Sequence, residues 1–151
     1  MAQPYEQLKL ENQLCFPLYA CAKEIVRRYQ PSLEPLDLTY TQYLVMMALW
    51  EYDEQSVKTL GQRLRLDSGT LTPVLKKLEA KGYVHRRRSE KDERSVVIAT
   101  TEQGRALCHR AARVPMEMGG CVKLTAREAM ALHTLLYRLL DGMEEEHGSE
   151  K

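Results

Sequence analysis

The sequence contains no run of 18 apolar residues, so we expect no membrane-spanning helix. Its first residues, MAQPYEQ, lack the basic and apolar segments of a signal peptide, and we therefore expect a cytoplasmic protein. A nucleophile elbow, a phosphate-binding loop and a Cys-x-x-Cys pair are also missing. These absences argue against an enzyme, and nothing in the sequence calls for a cofactor.

An excess of charge of one sign is also missing. The 22 Lys and Arg residues and the 21 Asp and Glu residues give a net charge of +1. This total neither favours nor excludes nucleic acid, because phosphate binding depends on local clusters of cations. Arg86, Arg87 and Arg88 form such a cluster.

The four cysteines lie far apart along the chain, at Cys15, Cys21, Cys108 and Cys121. A disulfide framework is not expected in the cytoplasm, so each is either a small buried apolar residue or a reactive thiol. Cys108, His109, Cys121 and His133 lack the paired spacing of a zinc site, and we expect no metal. We interpret Cys21 as a core residue and Cys108 as inert.

The segment from Asp67 to Lys81 has the pattern of a helix with one buried face. Leu71, Val74, Leu75 and Leu78 follow the i, i+3, i+4, i+7 spacing, and Asp67 or Ser68 can cap the first turn. Small hydroxyls and lysines on the other face suit phosphates and base edges. We predict that the DNA-contacting residues of this helix are Ser68, Gly69, Thr70, Thr72, Pro73, Lys76 and Lys77.

The elements around this helix complete a DNA-binding unit. Residues 56–64 predict a short preceding helix, and a tight turn then makes a helix-turn-helix. Residues 83–88 and 94–100 are β-branched and basic, which predicts a two-stranded ribbon with a charged tip. The helix suits a major groove and the tip an adjacent minor groove. Arg86 is the ribbon residue that we expect at a phosphate.

The two ends of the chain predict helices for dimerisation. One begins near Cys15, carries two apolar stripes and ends at Gln30-Pro31. A second runs from Thr101 to about Val114, is closed by Pro115, and is followed by a flexible connection over residues 116–123. A capping box starting at Thr125 opens the last helix.

We therefore expect one compact, mainly α domain with a small β-wing. Residues 37–100 form a winged helix-turn-helix, and residues 1–36 and 101–151 form a helical dimerisation region. A twofold dimer fits a palindromic operator in double-stranded DNA.

Four segments make the chain resemble a known family. DER at residues 92–94, followed by TTEQG at residues 100–104, is similar to the wing signature of the MarR family of winged-helix regulators. LENQLCF at residues 10–16 and LDSGTLTP at residues 66–73 are similar to the organic-hydroperoxide-sensing OhrR type. The resemblance covers nearly the whole chain.

This resemblance implies a repressor that leaves its operator when a cysteine is oxidised by an organic hydroperoxide. Carried over by position, Cys15 is the sensing thiol and Arg94 is the wing arginine for the minor groove. Cys121 resembles the resolving thiol of the two-cysteine subtype. The tyrosines around the thiol, some from the partner subunit, are Tyr19, Tyr29 and Tyr40.

Elementary chemistry agrees with this assignment, and alternatives remain. The positive end of a helix dipole at Cys15 favours a thiolate, and tyrosine hydroxyls can donate hydrogen bonds to it. The tyrosines could also be ordinary interface packing. A repressor released by a non-covalent phenolic or aromatic ligand is one rival function, and a thiol peroxidase without DNA binding is another.

Overall fold

The structure, a computed structural model, describes residues 5–92 and 94–148. Single-turn 3-10 helices cover Glu6–Leu8, Leu10–Asn12 and Glu34–Leu36. The longer elements, in chain order, are α1 (Cys15–Leu33), α2 (Tyr40–Glu51), β1 (Gln55–Ser56), α3 (Val57–Leu64), α4 (Ser68–Ala80), β2 (Val84–Arg88), β3 (Val96–Thr100), α5 (Glu102–Ala111), α6 (Val114–Gly119) and α7 (Ala126–Gly148).

The chain divides into two compact units, Met1–Met118 and Gly119–Lys151. The first holds α1 to α5, the sheet and nearly all of α6, and the second holds α7. Within the first unit, α3 and α4 followed by β2 and β3 make the winged helix-turn-helix. The predicted fold class, mainly α with a small β-wing, is confirmed.

Helix α2 lies at the centre of the first unit. Its start is a capping box, in which the Gln42 backbone N–H donates to Thr39 Oγ1 at 3.3 Å and the Thr39 N–H donates to Gln42 Oε1 at 3.1 Å. Tyr43, Val45 and Met46 are buried, although the residues lie on several sides of the helix. A helix that is apolar on most sides is buried, and α2 contacts α1, α3, α4 and α5.

Helix α4 is attached to this core by the face that its spacing predicts. Leu71, Leu75 and Leu78 are fully buried, whereas Val74 is half-buried at the edge. The helix packs against α2, α3 and β2. Each fully buried leucine contributes about 1.5–3 kcal/mol. The position of α4, and so of its exposed face, is therefore well determined.

The sheet has three strands rather than the two that the sequence predicts. Its order is β1-β3-β2, with both pairs antiparallel, and Val84 pairs with Thr100 and Arg88 with Val96. Strand β1 was missed because two polar residues carry no strand pattern. Tertiary contacts hold it in place: the Gln55 side-chain amide donates to the carbonyls of Ala48 and Tyr52.

The predicted end of the first helix at Gln30-Pro31 is wrong, since α1 continues to Leu33 with Pro31 inside it. An interior proline costs about 3 kcal/mol because it removes one N–H donor and crowds the preceding turn. Leu33 and Leu36 are each 1% exposed. Burial of Leu33 at the end of α1 and of Leu36 in the following turn offsets that cost. The helix therefore continues past the proline until Leu33 is in the core.

The predicted role of Pro115 is also wrong, and so is the flexible connection after it. Helix α5 ends at Ala111, and Pro115 is the second residue of α6, which covers part of residues 116–123. Proline is favoured in a first turn because the N–H that it lacks has no acceptor there. Val114 and Met118 lie one turn apart and are both buried, which anchors this short helix.

In the second unit, α7 begins at the predicted capping box. The Thr125 N–H donates to Glu128 Oε2 at 2.8 Å, and the Glu128 N–H donates to Thr125 Oγ1 at 3.3 Å. Most of the apolar row that we predicted on this helix is exposed, namely Leu132, Leu135, Leu139, Leu140 and Met143. Among the described residues, no helix is long and apolar enough to cross a membrane.

We predict that Gly104→Ala destabilises the protein by roughly 3 kcal/mol, since the added methyl group overpacks the site. A Cβ at Gly104 would lie 2.0 Å from the carbonyl oxygen of Tyr83, which is backbone and has no other rotamer. Urea unfolding followed by circular dichroism measures the change. Gly119→Ala, where a Cβ meets nothing within 4 Å, is the control. Equal stability of the two variants would contradict the steric argument.

Candidate nucleic-acid interface and thiol site

The exposed face of α4 carries the residues that the sequence predicts there. Ser68, Gly69, Thr70 and Pro73 are exposed near the start of the helix, and Thr72 is half-buried. Lys76 and Lys77 are exposed one turn later. The helix runs through Pro73, as expected, with the proline ring on the solvent side. Small groups therefore precede two cations along one accessible surface, which suits close approach to a nucleic-acid backbone.

Asp67 holds the first turn of this helix. Its Oδ1 accepts from the Thr70 N–H at 2.8 Å, and its Oδ2 accepts from Thr70 Oγ1 at 3.1 Å. The pKa of Asp67 is lowered from its usual value, first by the bond from the Thr70 backbone and then by the bond from its hydroxyl. The carboxylate therefore serves as the cap, as the sequence predicts.

A cleft of about 430 Å³ separates α4 from the wing. Thr72, Arg86 and Arg94, which the sequence proposes for nucleic-acid contact, line it together with Lys58 of α3. Sequence reasoning missed Lys58, although a lysine in the first turn of the helix before α4 was a signal that could have identified it. Asp92 lies at the wing tip and accepts from the Arg94 N–H at 3.0 Å, which shapes the turn that carries Arg94.

The arginine cluster on β2 divides between the two faces of the strand. Arg87 Nη2 lies 2.8 Å from Glu54 Oε2, so that guanidinium is paired within the chain. Arg86 and Arg88 lie two residues apart on β2, and alternation along a strand places their side chains on the face opposite to that of Arg87. Arg86 also lines the cleft beside α4. Alternation along the strand thus makes Arg86 the residue of this cluster nearest to the α4 surface.

Cys15 is the first residue of α1 and is exposed. Leu14, at the N-cap position, offers no side-chain acceptor to the first turn. The thiol thus lies in a first turn whose backbone N–H groups donate no hydrogen bond to a capping side chain.

The three predicted tyrosines do not form a single group within one chain. The rings of Tyr29 and Tyr40 lie 4.8 Å apart, and Tyr43, which sequence reasoning missed, lies 6.0 Å from Tyr29. Tyr19 is exposed one turn after Cys15, with Lys23 Nζ 5.9 Å from its ring centre. Burial, and then the neighbouring Tyr29, raises the pKa of Tyr40, so its phenol keeps a proton to donate.

Helix length separates Cys15 from the tyrosine pair. Cys15 and Tyr29 are 14 positions apart on α1, which corresponds to about 21 Å along the axis at 1.5 Å per residue. Tyr29 and Tyr40 of one chain therefore do not surround Cys15 of the same chain.

The other cysteines have different surroundings. Cys121 is half-buried in the segment between α6 and α7, and Cys108 is half-buried in α5. The interpretation of Cys21 as a core residue is wrong for the single chain, because it is exposed on α1. Among residues 5–92 and 94–148, no group of three or more His, Cys, Asp or Glu side chains could hold a metal ion.

A larger open cavity, of about 600 Å³, lies beside the C-terminal half of α1. Its lining mixes an apolar floor with both signs of charge, and includes Val26, Leu33, Tyr40, Arg27 and Lys81. The cavity thus adjoins both the tyrosine pair and the end of α4.

Comparisons with known proteins agree with this arrangement. A family model described as transcriptional regulator SarA/Rot matches residues 27–111, more than half of the chain. The organic hydroperoxide resistance transcriptional regulator of Bacillus subtilis is 44% identical over 147 residues, which are 97% of this chain and 100% of that protein. The regulator SarZ of Staphylococcus aureus is 47% identical over 124 residues, 82% of this chain and 84% of SarZ.

Solved structures of AbfR, a protein of Staphylococcus epidermidis, are also similar. Reduced AbfR bound to DNA matches with a TM-score of 0.77 and 32% identity, over 95% of this chain and 98% of that one. Disulfide-formed AbfR matches with a TM-score of 0.62 and 35% identity, over 89% and 95% of the two chains.

We predict that Asp67→Ala frays the start of α4, because the Thr70 N–H loses its acceptor. Exchange of the Thr70 amide hydrogen, measured by NMR, should become roughly fivefold faster. Asp67→Asn is the matched control, since an amide oxygen still caps. In the wild type, the lowered pKa means that the cap is complete above the ordinary aspartate pKa and is lost as pH falls through the lowered value. Wild-type exchange in the alanine variant would show that Asp67 does not hold this turn.

Proposed function

Since the chain belongs to the MarR family of winged-helix transcriptional regulators, we propose that it represses transcription and leaves its operator when an organic hydroperoxide oxidises Cys15. The chain is a transcriptional regulator of the MarR and OhrR type, and reduced AbfR, a similar protein, has been solved bound to DNA. Oxidation and release are the proposed steps.

The observation that carries this proposal is the position of Cys15. Its thiol is exposed at the first residue of a 19-residue helix whose start has no side-chain cap. Backbone N–H groups of a first turn stabilise an anion, and the thiolate is the nucleophilic form of cysteine. A whole-length relative is named for organic hydroperoxide resistance, which agrees with a peroxide as the oxidant.

The proposed reaction balances without a further reagent. The Cys15 thiolate attacks the outer oxygen of the hydroperoxide, the O–O bond breaks, and the alkoxide leaves and is protonated to an alcohol. Cys15 becomes a sulfenic acid. The Cys121 thiol then attacks the Cys15 sulfur, forming a disulfide and releasing water. AbfR, a relative with a disulfide-formed structure and a DNA-bound reduced structure, supports a disulfide as the end state.

We place the completed sensor in a dimer. Because Tyr29 lies far along α1 from its own Cys15 and Tyr40 of α2 packs against Tyr29, the tyrosines beside that thiol come in part from the partner subunit. Exposed apolar side chains of α1, including Leu14, Phe16 and Ile25, and the exposed leucine row of α7 supply surface for such an association. A twofold dimer also presents two copies of α4 to a palindromic site.

The DNA-binding part of the proposal uses α4 and the wing. Helix α4 enters a major groove with Thr70, Thr72 and the two lysines, while Arg94 at the wing tip enters the adjacent minor groove. Lys58 and Arg86 neutralise phosphates at the cleft between them. A rigid-body rotation on disulfide formation changes the spacing of the two recognition helices and lowers affinity.

The 600 Å³ cavity favours one alternative, in which a non-covalent aromatic or phenolic ligand releases the repressor. Tyr40 and Val26 provide apolar contact, and Lys23 provides a cation for an acidic or phenolic group. In that case Cys15 is not required for release.

We predict that Arg86→Ala weakens DNA binding and that Arg87→Ala, its control on the opposite strand face, does not. Binding by fluorescence anisotropy uses a duplex selected by the wild-type protein from random-sequence DNA. The slope of log K against log salt is negative, and each phosphate contact that is lost makes it shallower by about 0.9. Equal effects of the two substitutions would contradict the assignment of Arg86 to the DNA side.

We predict that cumene hydroperoxide releases wild-type protein from this duplex and leaves Cys15→Ser bound, because serine cannot form a sulfenic acid. A gel-shift titration measures the bound fraction, and Cys21→Ser is the matched control that should respond like wild type. Release of wild type and Cys15→Ser together, or of neither, would refute the Cys15 sensor. Release of Cys15→Ser by a phenolic compound alone would favour the ligand-controlled alternative.

The disulfide step has a separate readout. After peroxide treatment, non-reducing electrophoresis should show a dimer-sized band for the wild type and a monomer-sized band for Cys121→Ser. If both remain monomer-sized, bonding between subunits through Cys121 is wrong, although the role of Cys15 is unaffected.

A further inference from the structure

Three consecutive backbone carbonyls, at the turn that follows α1, are held by side chains from elsewhere in the fold. The carbonyl of Pro35 accepts from Arg110 Nη2 at 2.5 Å. The carbonyl of Leu36 accepts from the Tyr83 hydroxyl at 3.2 Å, and that of Asp37 accepts from Lys81 Nζ at 2.5 Å. We call these three donors, Lys81, Tyr83 and Arg110, the carbonyl clamp.

The clamp joins the end of α1 to the end of α4. Lys81 is the C-cap of α4, and Tyr83 lies just before β2. The clamped turn, Glu34–Leu36, begins immediately after α1 ends at Leu33. Arg110 reaches the same turn from α5. Two helices far apart in sequence, one starting at Cys15 and the other facing the DNA, are thus tied at their C-terminal ends.

The turn itself is anchored in the core on both sides. Leu36 is 1% exposed and Leu38 is 7% exposed, so both sides of the turn are anchored in the core. Asp37 adopts the left-handed conformation with a φ of 52°, and its N–H donates to the Glu34 carbonyl at 2.9 Å. A turn that is anchored by buried leucines and has its carbonyls occupied is restrained against bending independently of α1.

We propose that Lys81, Tyr83 and Arg110 are positioning residues that fix α4 to the end of α1, so that the placement of α1 sets DNA affinity. The proposal rests on the function proposed above, because α1 carries the sensing thiol. Without the clamp, α4 and the core to which its leucines attach it sample several placements relative to α1, and the apparent affinity falls by the fraction of molecules in the competent one.

The contacts of Lys81 distinguish positioning from DNA contact. An ammonium group has three N–H donors. Lys81 Nζ lies within reach of the Asp37 carbonyl, of Asp37 Oδ1 at 3.1 Å and of Gln42 Oε1 at 3.2 Å. Gln42 is buried, and its Oε1 also accepts from the N–H of Thr39 at the start of α2. With three acceptors inside the protein, this lysine is engaged with its own fold rather than with phosphate.

The test compares Lys81→Met and Tyr83→Phe with wild type in the full-length protein. Each substitution removes the donor and keeps most of the side chain. Lys123→Met and Tyr52→Phe are matched controls at exposed positions outside the clamp. Affinity for the selected duplex is measured by anisotropy at several salt concentrations, with thiols reduced and again after cumene hydroperoxide. Thermal unfolding of every variant reports stability.

We expect each clamp variant to bind the duplex about threefold to tenfold more weakly when reduced, as loss of the hydrogen bonding made by that side chain implies. The salt slope should stay at the wild-type value, because no phosphate contact is removed. The ratio of oxidised to reduced dissociation constants should shrink, since α4 no longer follows α1. The controls should match wild type in all three quantities.

Three results would overturn the clamp. The first is that both variants, when reduced, bind the duplex as tightly as wild type. The second is weaker binding with the same ratio of oxidised to reduced dissociation constants as wild type. The third is a shallower salt dependence for Lys81→Met, which would mark a lost phosphate contact. If the wild type itself binds equally well before and after peroxide, the proposed redox function is wrong. The reduced affinities and salt slopes then still decide whether the clamp positions α4.

Discussion

The close approach of Gly104 to the carbonyl of Tyr83 is the constraint on which the packing of α4 and the wing against the rest of the first unit depends. No side chain fits between them, so α5 begins directly against the turn that leaves α4. The same helix start is held by Thr101 Oγ1, which donates to the Gly82 carbonyl at 2.6 Å, and the Gly104 carbonyl accepts from Trp50 Nε1 at 2.9 Å. One missing side chain thereby brings α2, α5 and the end of α4 together.

Tyr83 also links this junction to the end of α1, through the hydrogen bond from its hydroxyl to the Leu36 carbonyl. The helix starts at an exposed thiol and ends, about 27 Å away for 18 rises of 1.5 Å, at the turn that contacts Lys81 and Tyr83. In the proposed mechanism, a change in the placement of α1 caused by oxidation at its start would also shift the turn at its end. The proposed oxidation and the proposed clamp are in this sense two ends of one element.

Local patterns explain where sequence reasoning succeeded. The helix predicted at α4 is present because the leucine spacing, the capping Asp67 and Gly82 beyond its end all favour the same helix. The last helix held because its capping box is a short-range signal. The errors came where tertiary burial outweighed local preference. Burial of Leu33 stabilises the last turn of α1 beyond Pro31. Burial of Val114 and Met118 stabilises α6, where a flexible connection was predicted after Pro115. Strand β1 is a strand because it pairs with β3.

The sequence by itself determined the class of fold, the exposed chemistry of α4 and the segments that resemble a peroxide-sensing family, because these depend on spacing within one helix or strand. Tertiary structure decided which arginine of the wing faces α4, and added Lys58 to that surface. It also paired Tyr29 of α1 with Tyr40 of α2. Such relations join residues distant in sequence, and only packing of the complete chain sets those distances.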